Sequence, residues 1–260
     1  MNNSAQLAPV DSVGSRYAYA RSRLAGAQKS TASVPAYLRF VNRRAGGLLA
    51  AAGFALRLTP TQVTLLSSAC SFLGIAVLIA HRSTVPAGIG VSLLLLLGYA
   101  LDSADGQLAR VRGGGTKAGE WLDHVADVAK ISSLHSAVAI AVLRYFDLQS
   151  LLYLAVPVIF LIANVTQFFG MMLRDKLTMT PRPQPGSSSL LTAWLLLPLD
   201  HGSLALAFLV LGLHTVFLWC YGFLALCTVA FAVRSLRKAY RGLLSAGPAV
   251  DQPAPAGRRR

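Results

Sequence analysis

Acidic side chains are rare in this sequence, and half of them fall within one short stretch. Of the ten Asp and Glu residues among 260, five lie between positions 102 and 127: Asp102, Asp105, Glu120, Asp123 and Asp127. Residues three or four apart lie on one face of a helix, so Asp102 pairs with Asp105 and Asp123 pairs with Asp127. Two such pairs on neighbouring helices would surround one small volume with four carboxylates.

Such a cluster needs positive charge, because like charges repel and only Arg110, Lys117 and Lys130 lie nearby in sequence. Ligation by oxygen alone favours Mg²⁺, Mn²⁺ or Ca²⁺ over Zn²⁺. Two ions shared by four carboxylates form the clamp that enzymes use for displacement at phosphorus. A solvated helix–helix corner and a proton or cation pathway remain alternatives, since intramembrane acids also mark transporters.

The elements that position these residues are predicted to be membrane helices. Of all residues, 54% are hydrophobic and 13% are charged, with a mean hydropathy of +0.54, whereas a soluble domain carries about 25% charged residues. Runs long enough to cross about 30 Å of hydrocarbon predict six spans, near 61–80, 86–108, 119–143, 151–173, 189–211 and 214–234. Asp200, His201 and Gly202 interrupt the fifth run, so five or seven spans remain alternatives. The prediction is an all-α integral membrane bundle of about six transmembrane helices.

The remaining segments are predicted to lie at the membrane surface or in the cytoplasm. Residues 35–58 alternate between apolar and basic positions and are expected to form an amphipathic segment in the membrane surface. Residues 59–241 are expected to form the six-helix catalytic domain. Residues 1–34 and 242–260 are expected to be flexible cytoplasmic tails.

Basic residues predict the orientation of the bundle. Eight Lys and Arg precede residue 60, and the loops after the second and fourth spans hold three each, whereas every other loop holds at most one. Both termini and the acidic cluster are therefore expected to face the cytoplasm from a cell inner or plasma membrane. The net charge of +14 comes from basic residues spread over both ends and the loops. That distribution suits anionic membrane lipids and argues against nucleic acid.

The cysteines give no sign of a disulfide or zinc site. Cys70, Cys220 and Cys227 each lie alone in an apolar run, without C-x-x-C spacing.

The stretch around the aspartates also matches a known pattern. Residues 102–127 read D-S-A-D-G-Q-L-A-R, eight further residues, and G-E-W-L-D-H-V-A-D. This resembles the class I CDP-alcohol phosphatidyltransferase signature, D-x-x-D-G-x-x-A-R-x8-G-x-x-x-D-x-x-x-D. Every fixed position matches: Asp102, Asp105, Gly106, Ala109, Arg110, Gly119, Asp123 and Asp127. Residues 59–64, T-P-T-Q-V-T, are similar to the family's T-P-N-x-V-T, with Thr61 in place of Asn and Thr64 retained.

The resemblance implies roles for individual residues. Asp102, Asp105, Asp123 and Asp127 would bind two Mg²⁺ or Mn²⁺ ions, and Asp127 would also be the catalytic general base. The residues implied at the CDP part are Thr64, Asp105, Gly106, Ala109, Arg110 and Thr116. These residue types suit that role, because Gly106 and Ala109 leave a helix face open and Arg110 is a planar cation for phosphate oxygens. Gly119 is expected to let the two helices approach each other.

The implied reaction moves a phosphoalcohol group, such as phosphatidyl, from a CDP-alcohol to an acceptor alcohol with release of CMP, as in phospholipid biosynthesis. In one branch the donor is CDP-diacylglycerol and the acceptor is polar. In the other, CDP-choline or CDP-ethanolamine donates to diacylglycerol, and its motif G-E-L-F-D-H resembles residues 119–124, which would give Glu120 and His124 a share in acid–base work.

Several alternatives stay open at this point. The basic residues after the fourth span either bind a phosphorylated acceptor or are ordinary loop charges; they are Arg174, Lys176 and Arg182. Asp200 and His201 either line the cavity or mark a helix break. A homodimer is possible. Two other functions also remain open, a cation or proton transporter and a non-catalytic membrane scaffold. No role is assigned to His81, His135 or His214.

Overall fold

The fold is seen in a computed structural model that describes residues 12–26, 34–147, 150–178 and 189–245. These residues form nine α-helices and no strand. The helices are α1 Val13–Gly26, α2 Arg43–Ala55, α3 Pro60–Ala80, α4 Val85–Val111, α5 Lys117–Tyr145, α6 Ala155–Thr178, α7 Leu190–Leu195, α8 His201–Ala207 and α9 His214–Ser245. A π-helical turn, Leu38–Asn42, precedes α2, and 3₁₀ turns lie at Leu151–Leu154, Leu197–Leu199 and Phe208–Val210.

The all-α membrane bundle predicted from the composition is confirmed. Within the described part of the chain, five helical segments are long and apolar enough to cross a membrane: α3, α4, α5, Leu151–Thr178 and α9. The first three predicted spans agree with α3, α4 and α5 to within three residues at each end. The helices of the fourth and sixth predicted spans continue beyond the predicted ends at 173 and 234, because the amphipathic ends of α6 and α9 remain helical after the apolar runs stop.

The fifth predicted span, 189–211, is not the continuous helix that was expected. It consists of the short helices α7 and α8 with 3₁₀ turns after each. Pro198 lacks a backbone N–H, and Asp200 caps α8 by accepting a hydrogen bond from the Gly202 N–H at 2.8 Å, so the helix restarts at this point.

This broken segment nevertheless passes along the bundle. The His201 ring lies 5.7 Å from the ring of Tyr99, well inside α4. Further on, a Cβ at Gly212 would lie 2.3 Å from the backbone nitrogen of Val85, the first residue of α4. This part of the chain therefore packs along α4 as a broken segment, from the level of Tyr99 to the first residue of α4.

The prediction of a flexible tail over 1–34 is wrong for residues 13–26, which form α1. Ala20 and Leu24 are four residues apart on one helix face, and both are buried against Ala50, Ala51 and Leu108. The polar average composition of residues 1–34 gave no indication of this short apolar face. Residues 242–245, also assigned to a tail, continue α9. The rest of both predicted tails, 1–11, 27–33 and 246–260, lies outside the described residues.

The predicted interfacial segment contains α2, which packs closely against α4. A Cβ at Gly46 would lie only 2.8 Å from the Ser103 side chain, so the two backbones approach too closely for a larger residue. The Gln107 side chain donates a hydrogen bond to the Arg43 carbonyl at 3.1 Å. The location of segment 35–58 in the membrane surface stays a prediction.

A tight glycine turn joins α4 to α5 and aligns the two motif helices. Gly113 and Gly114 have φ values of +93° and +132°, a conformation that glycine adopts without strain. Thr116 then caps the N-terminus of α5, its hydroxyl accepting a hydrogen bond from the Gly119 N–H at 3.0 Å. The short turn makes α4 and α5 antiparallel neighbours, and the end of the bundle at residues 112–116 is called the turn end below.

Candidate active site

The four motif aspartates come together, as the spacing predicted, and Lys130 shows how close they are. Its Nζ lies 2.5 Å from a carboxylate oxygen of Asp102 on α4 and 2.8 Å from one of Asp127 on α5. The Lys130 side chain is only 14% exposed, so this ion pair is largely removed from water. One ammonium group therefore bridges the two motif helices at the level of the aspartates.

Asp123 gives the clearest sign that the cluster can bind a cation. Its Oδ1 is buried and has no hydrogen-bond partner among the described residues. A buried carboxylate oxygen without a donor is costly, and cation binding removes that cost. Ligand atoms of Asp123, His124 and Asp127 lie within 4.8 Å of one another. The site thus fits a hard divalent cation, for which carboxylate oxygens are the preferred ligands.

Asp105 is held in place by a residue of the first membrane helix. Its Oδ2 accepts a hydrogen bond of 2.6 Å from the hydroxyl of Thr64, and both side chains are buried. This contact joins α3 to the aspartate cluster. Thr64 therefore positions Asp105, and the contact to CDP implied for Thr64 stays untested.

Three other residues predicted at the CDP part follow one another along α4 from the aspartates towards the turn end. Gly106, Ala109 and Arg110 are all half-buried. A Cβ at Gly106 would lie 3.5 Å from a guanidinium nitrogen of Arg110, so the cation lies over the glycine one turn away. This face presents open backbone and a planar cation next to the carboxylates, an arrangement suited to a diphosphate.

Thr116 and Glu120 lie at the start of α5, on its exposed surface. Thr116 caps the helix, and its contact to CDP stays a prediction. Gly119 was expected to let α4 and α5 approach, but a Cβ there would lie 3.1 Å from the Thr116 hydroxyl and 3.9 Å from that of Thr61. Its small size thus serves the cap and the contact with α3.

Of the residues left open, His124 lies next to the aspartates, whereas Glu120 is exposed. His124 is half-buried, its ring packs edge-on against Phe168 at 5.8 Å, and it belongs to the group that can hold a metal. At the C-terminal end of α6, Arg174 pairs with its neighbour Asp175, and Arg182 lies outside the described residues.

Asp200 has a structural role that the sequence did not reveal. Besides capping α8, its Oδ2 accepts a hydrogen bond from the Leu38 N–H at 2.8 Å, which ties α8 to the segment before α2. Burial and this carboxylate raise the pKa of Tyr37 above its ordinary value. The neighbouring His201 instead lines a cavity next to Asp102.

That cavity, of about 160 Å³, adjoins the aspartate cluster. Asp102, Asp127 and Lys130 form one part of its wall, and Tyr99, His135, Asn164 and His201 are further polar members. Its apolar wall includes Ile75, Leu95, Ile131, Leu134, Phe168 and Leu204. Sequence reasoning named Lys130 only as a nearby charge and did not assign it to the site, although its position three residues after Asp127 was a usable signal. It gave no role to His135 or Asn164, whose sequence positions carried no signal.

Comparison with known proteins gives a family and two similar solved structures. The profile described as CDP-alcohol phosphatidyltransferase matches residues 57–234. Mycobacterium tuberculosis phosphatidylinositol phosphate synthase in complex with manganese and citrate is 18% identical, with a TM-score of 0.57 over 79% of this chain and 92% of that one. The same enzyme with CDP-DAG bound is 19% identical, with a TM-score of 0.52 over 83% and 99%. No curated protein sequence matches the chain.

Proposed function

Because the chain belongs to the CDP-alcohol phosphatidyltransferase family, we propose that its four aspartates carry out phosphoalcohol transfer from a CDP-alcohol to an acceptor alcohol, with release of CMP. The observation that carries this assignment is the ion pair of Lys130 with both Asp102 and Asp127, because it brings carboxylates of both motif helices to one point. CDP-diacylglycerol is the first donor to test, since the similar M. tuberculosis enzyme has been solved with CDP-DAG bound. The product would then be a phospholipid.

Each residue of the site has a distinct part in this reaction. Asp102, Asp105, Asp123 and Asp127 would hold two divalent ions, Mg²⁺ or Mn²⁺, which stabilise charge on the diphosphate when bound. Arg110 lies over the open backbone at Gly106 and binds phosphate oxygens. Asp127, in the cavity wall, takes the proton of the acceptor hydroxyl. The acceptor oxygen then bonds to the β-phosphorus while the bond to the oxygen of CMP breaks.

Release of CMP distinguishes this function from its competitors. Purified enzyme with Mg²⁺, a CDP-alcohol and an acceptor alcohol is expected to release CMP in proportion to product. The donors to compare are CDP-diacylglycerol, CDP-choline and CDP-ethanolamine. Cation or proton flux across vesicles without CMP formation would instead identify a transporter, and neither activity would leave a membrane scaffold.

The loop charges support an orientation with the turn end, both termini and the aspartates in the cytoplasm. Gly114 lies exposed in the turn between α4 and α5. In a background lacking Cys70, Cys220 and Cys227, Gly114→Cys is expected to react with an impermeant thiol reagent in inverted vesicles and not in intact cells. A cysteine at Ser150, just before α6 at the opposite end of the bundle, is the matched control and should show the reverse. Labelling of Gly114→Cys from outside intact cells would contradict the orientation.

A further inference from the structure

Three arginine side chains come together beside the residues predicted to bind the CDP part, and two of them belong to the segment before and at the start of α2. Arg43 lies close enough to Arg110 of α4 for the two positive charges to repel each other. Arg39 lies close enough to Arg43 for the same repulsion. All three side chains are half-buried. A cluster of like charges that is partly removed from water needs an anion to balance it.

Hydrogen bonds to α4 hold the backbone of this segment in place. The Asn42 side chain donates a hydrogen bond to the Tyr99 carbonyl at 3.1 Å. The Arg43 carbonyl accepts one from the Gln107 side chain at 3.1 Å. Gln107 precedes Arg110 by three residues, which is about one turn of the helix. Arg43 is therefore held beside the part of α4 that is predicted to bind the diphosphate.

Arg39 has hydrogen-bonding capacity that no described residue uses. Its Nη1 is buried and has no hydrogen-bond partner among the described residues. Its Cζ lies 5.2 Å from the centre of the Phe40 ring, a contact that leaves the N–H donors unsatisfied. A buried donor without an acceptor is costly, and an anionic oxygen would remove that cost. The residue lies in the π-helical turn Leu38–Asn42, a feature that is frequent at functional sites.

The next arginine in the chain behaves differently. Arg44 is exposed, as expected for a basic residue that serves only solvent or lipid headgroups. Arg43 is instead packed against the bundle, where burial lowers its pKa and the Arg39 charge lowers it further. A guanidinium stays charged in proteins, so Arg43 carries a cost that a bound anion would offset.

The proposed donor brings an anion of the right kind. Two divalent ions would cancel the charge of the four aspartates, so the metal-loaded site is left close to neutral. The diphosphate of a CDP-alcohol adds negative charge of its own, and Arg110 alone supplies one cation. Guanidinium groups bind phosphate oxygens through paired N–H donors, and several of them usually act together.

We propose that Arg43 and Arg39 bind phosphate oxygens of the donor's diphosphate, together with Arg110. The segment before and at the start of α2 is thereby part of the donor site. This inference rests on the proposed function and adds two binding residues to it. A phosphorylated acceptor and an anionic lipid headgroup carry the same chemistry, so the tests separate these sources.

The first test measures the KM for each substrate. Arg43→Gln is expected to raise the KM for the CDP-alcohol about 10- to 100-fold, the range for one hydrogen bond to a charged group, and to leave the KM for the acceptor unchanged. Arg39→Gln should act in the same direction, and it removes no hydrogen bond among the described residues from Nη1. Arg44→Gln, at the exposed neighbouring position, is the matched control and should change neither KM.

Three outcomes of these kinetics would overturn the inference. They are an unchanged KM for the donor in both variants, a rise only in the KM of a phosphorylated acceptor, and equal effects of Arg43→Gln and Arg44→Gln. No CMP release by the wild-type enzyme with any substrate pair would instead contradict the proposed function.

The second test follows CDP binding without turnover, by calorimetry with Mg²⁺ and no acceptor. In vesicles of phosphatidylcholine alone, Arg43→Gln is expected to weaken CDP binding about 10- to 100-fold, whereas Arg44→Gln should bind CDP like the wild type. Equal affinity of Arg43→Gln and the wild type would overturn the inference. An effect of Arg43→Gln that appears only when phosphatidylglycerol is added would assign the arginines to lipid headgroups, and would also overturn it.

Discussion

Asp127→Asn is expected to reduce turnover by about 10²- to 10⁴-fold, the usual effect of losing a general base. The amide keeps the shape of the carboxylate but cannot accept a proton at neutral pH. The measurement is CMP release by the purified variant. Asp147→Asn, at an exposed position just beyond the far end of α5, is the matched control and should retain full activity.

Because Asp127 is also a proposed metal ligand, the assay needs a metal titration. If the lost activity reflects the base, the rate stays low at saturating Mn²⁺. If it reflects a weakened metal site, the rate recovers as Mn²⁺ is raised. A variant that is folded in detergent and keeps more than about a tenth of the wild-type rate would show that the base lies elsewhere. His124, which lies within the same group of ligand atoms, would be tested next, followed by Glu120.

Removal of divalent metal is expected to abolish turnover completely and reversibly. Without bound cations the aspartate cluster has only Lys130 as a direct ion-pair partner among the described residues, and it would repel the diphosphate of the donor. Activity should disappear with EDTA and return when Mg²⁺ or Mn²⁺ is added in excess. Full turnover in metal-free buffer would contradict the metal site.

Metal binding can also be measured without activity. Mn²⁺ binding followed by paramagnetic resonance is expected to show two ions per chain. A ligand at about 100 times its Kd stabilises the folded state by about 2.7 kcal/mol, so Tm should rise with Mn²⁺. Asp123→Asn should weaken this rise, because it alters the buried carboxylate that lacks a donor, whereas Asp147→Asn should leave it unchanged. One bound ion, or none, would contradict the two-metal proposal.

The sequence by itself predicted the acidic pairs of the site and determined the membrane bundle that carries them. The spacings from Asp102 to Asp105 and from Asp123 to Asp127 were enough to predict facing pairs, because a helix repeats every 3.6 residues and a five-residue turn leaves no other arrangement. Long apolar runs predicted the spans, because lipid admits only helices or closed barrels. These features depend on residues close together in the chain, and local periodicity reports them directly.

Only the tertiary structure decided which distant residues support the site. Thr64 reaches Asp105 from 41 positions away, and His135 reaches Tyr221 from 86 positions away. The break at Asp200 depends in the same way on a distant partner, the Leu38 N–H, which lies 162 positions earlier in the chain. Likewise, the short apolar face of α1 is buried against α2 and α4. Such contacts depend on how the helices pack against one another, and no spacing within a single helix encodes that packing.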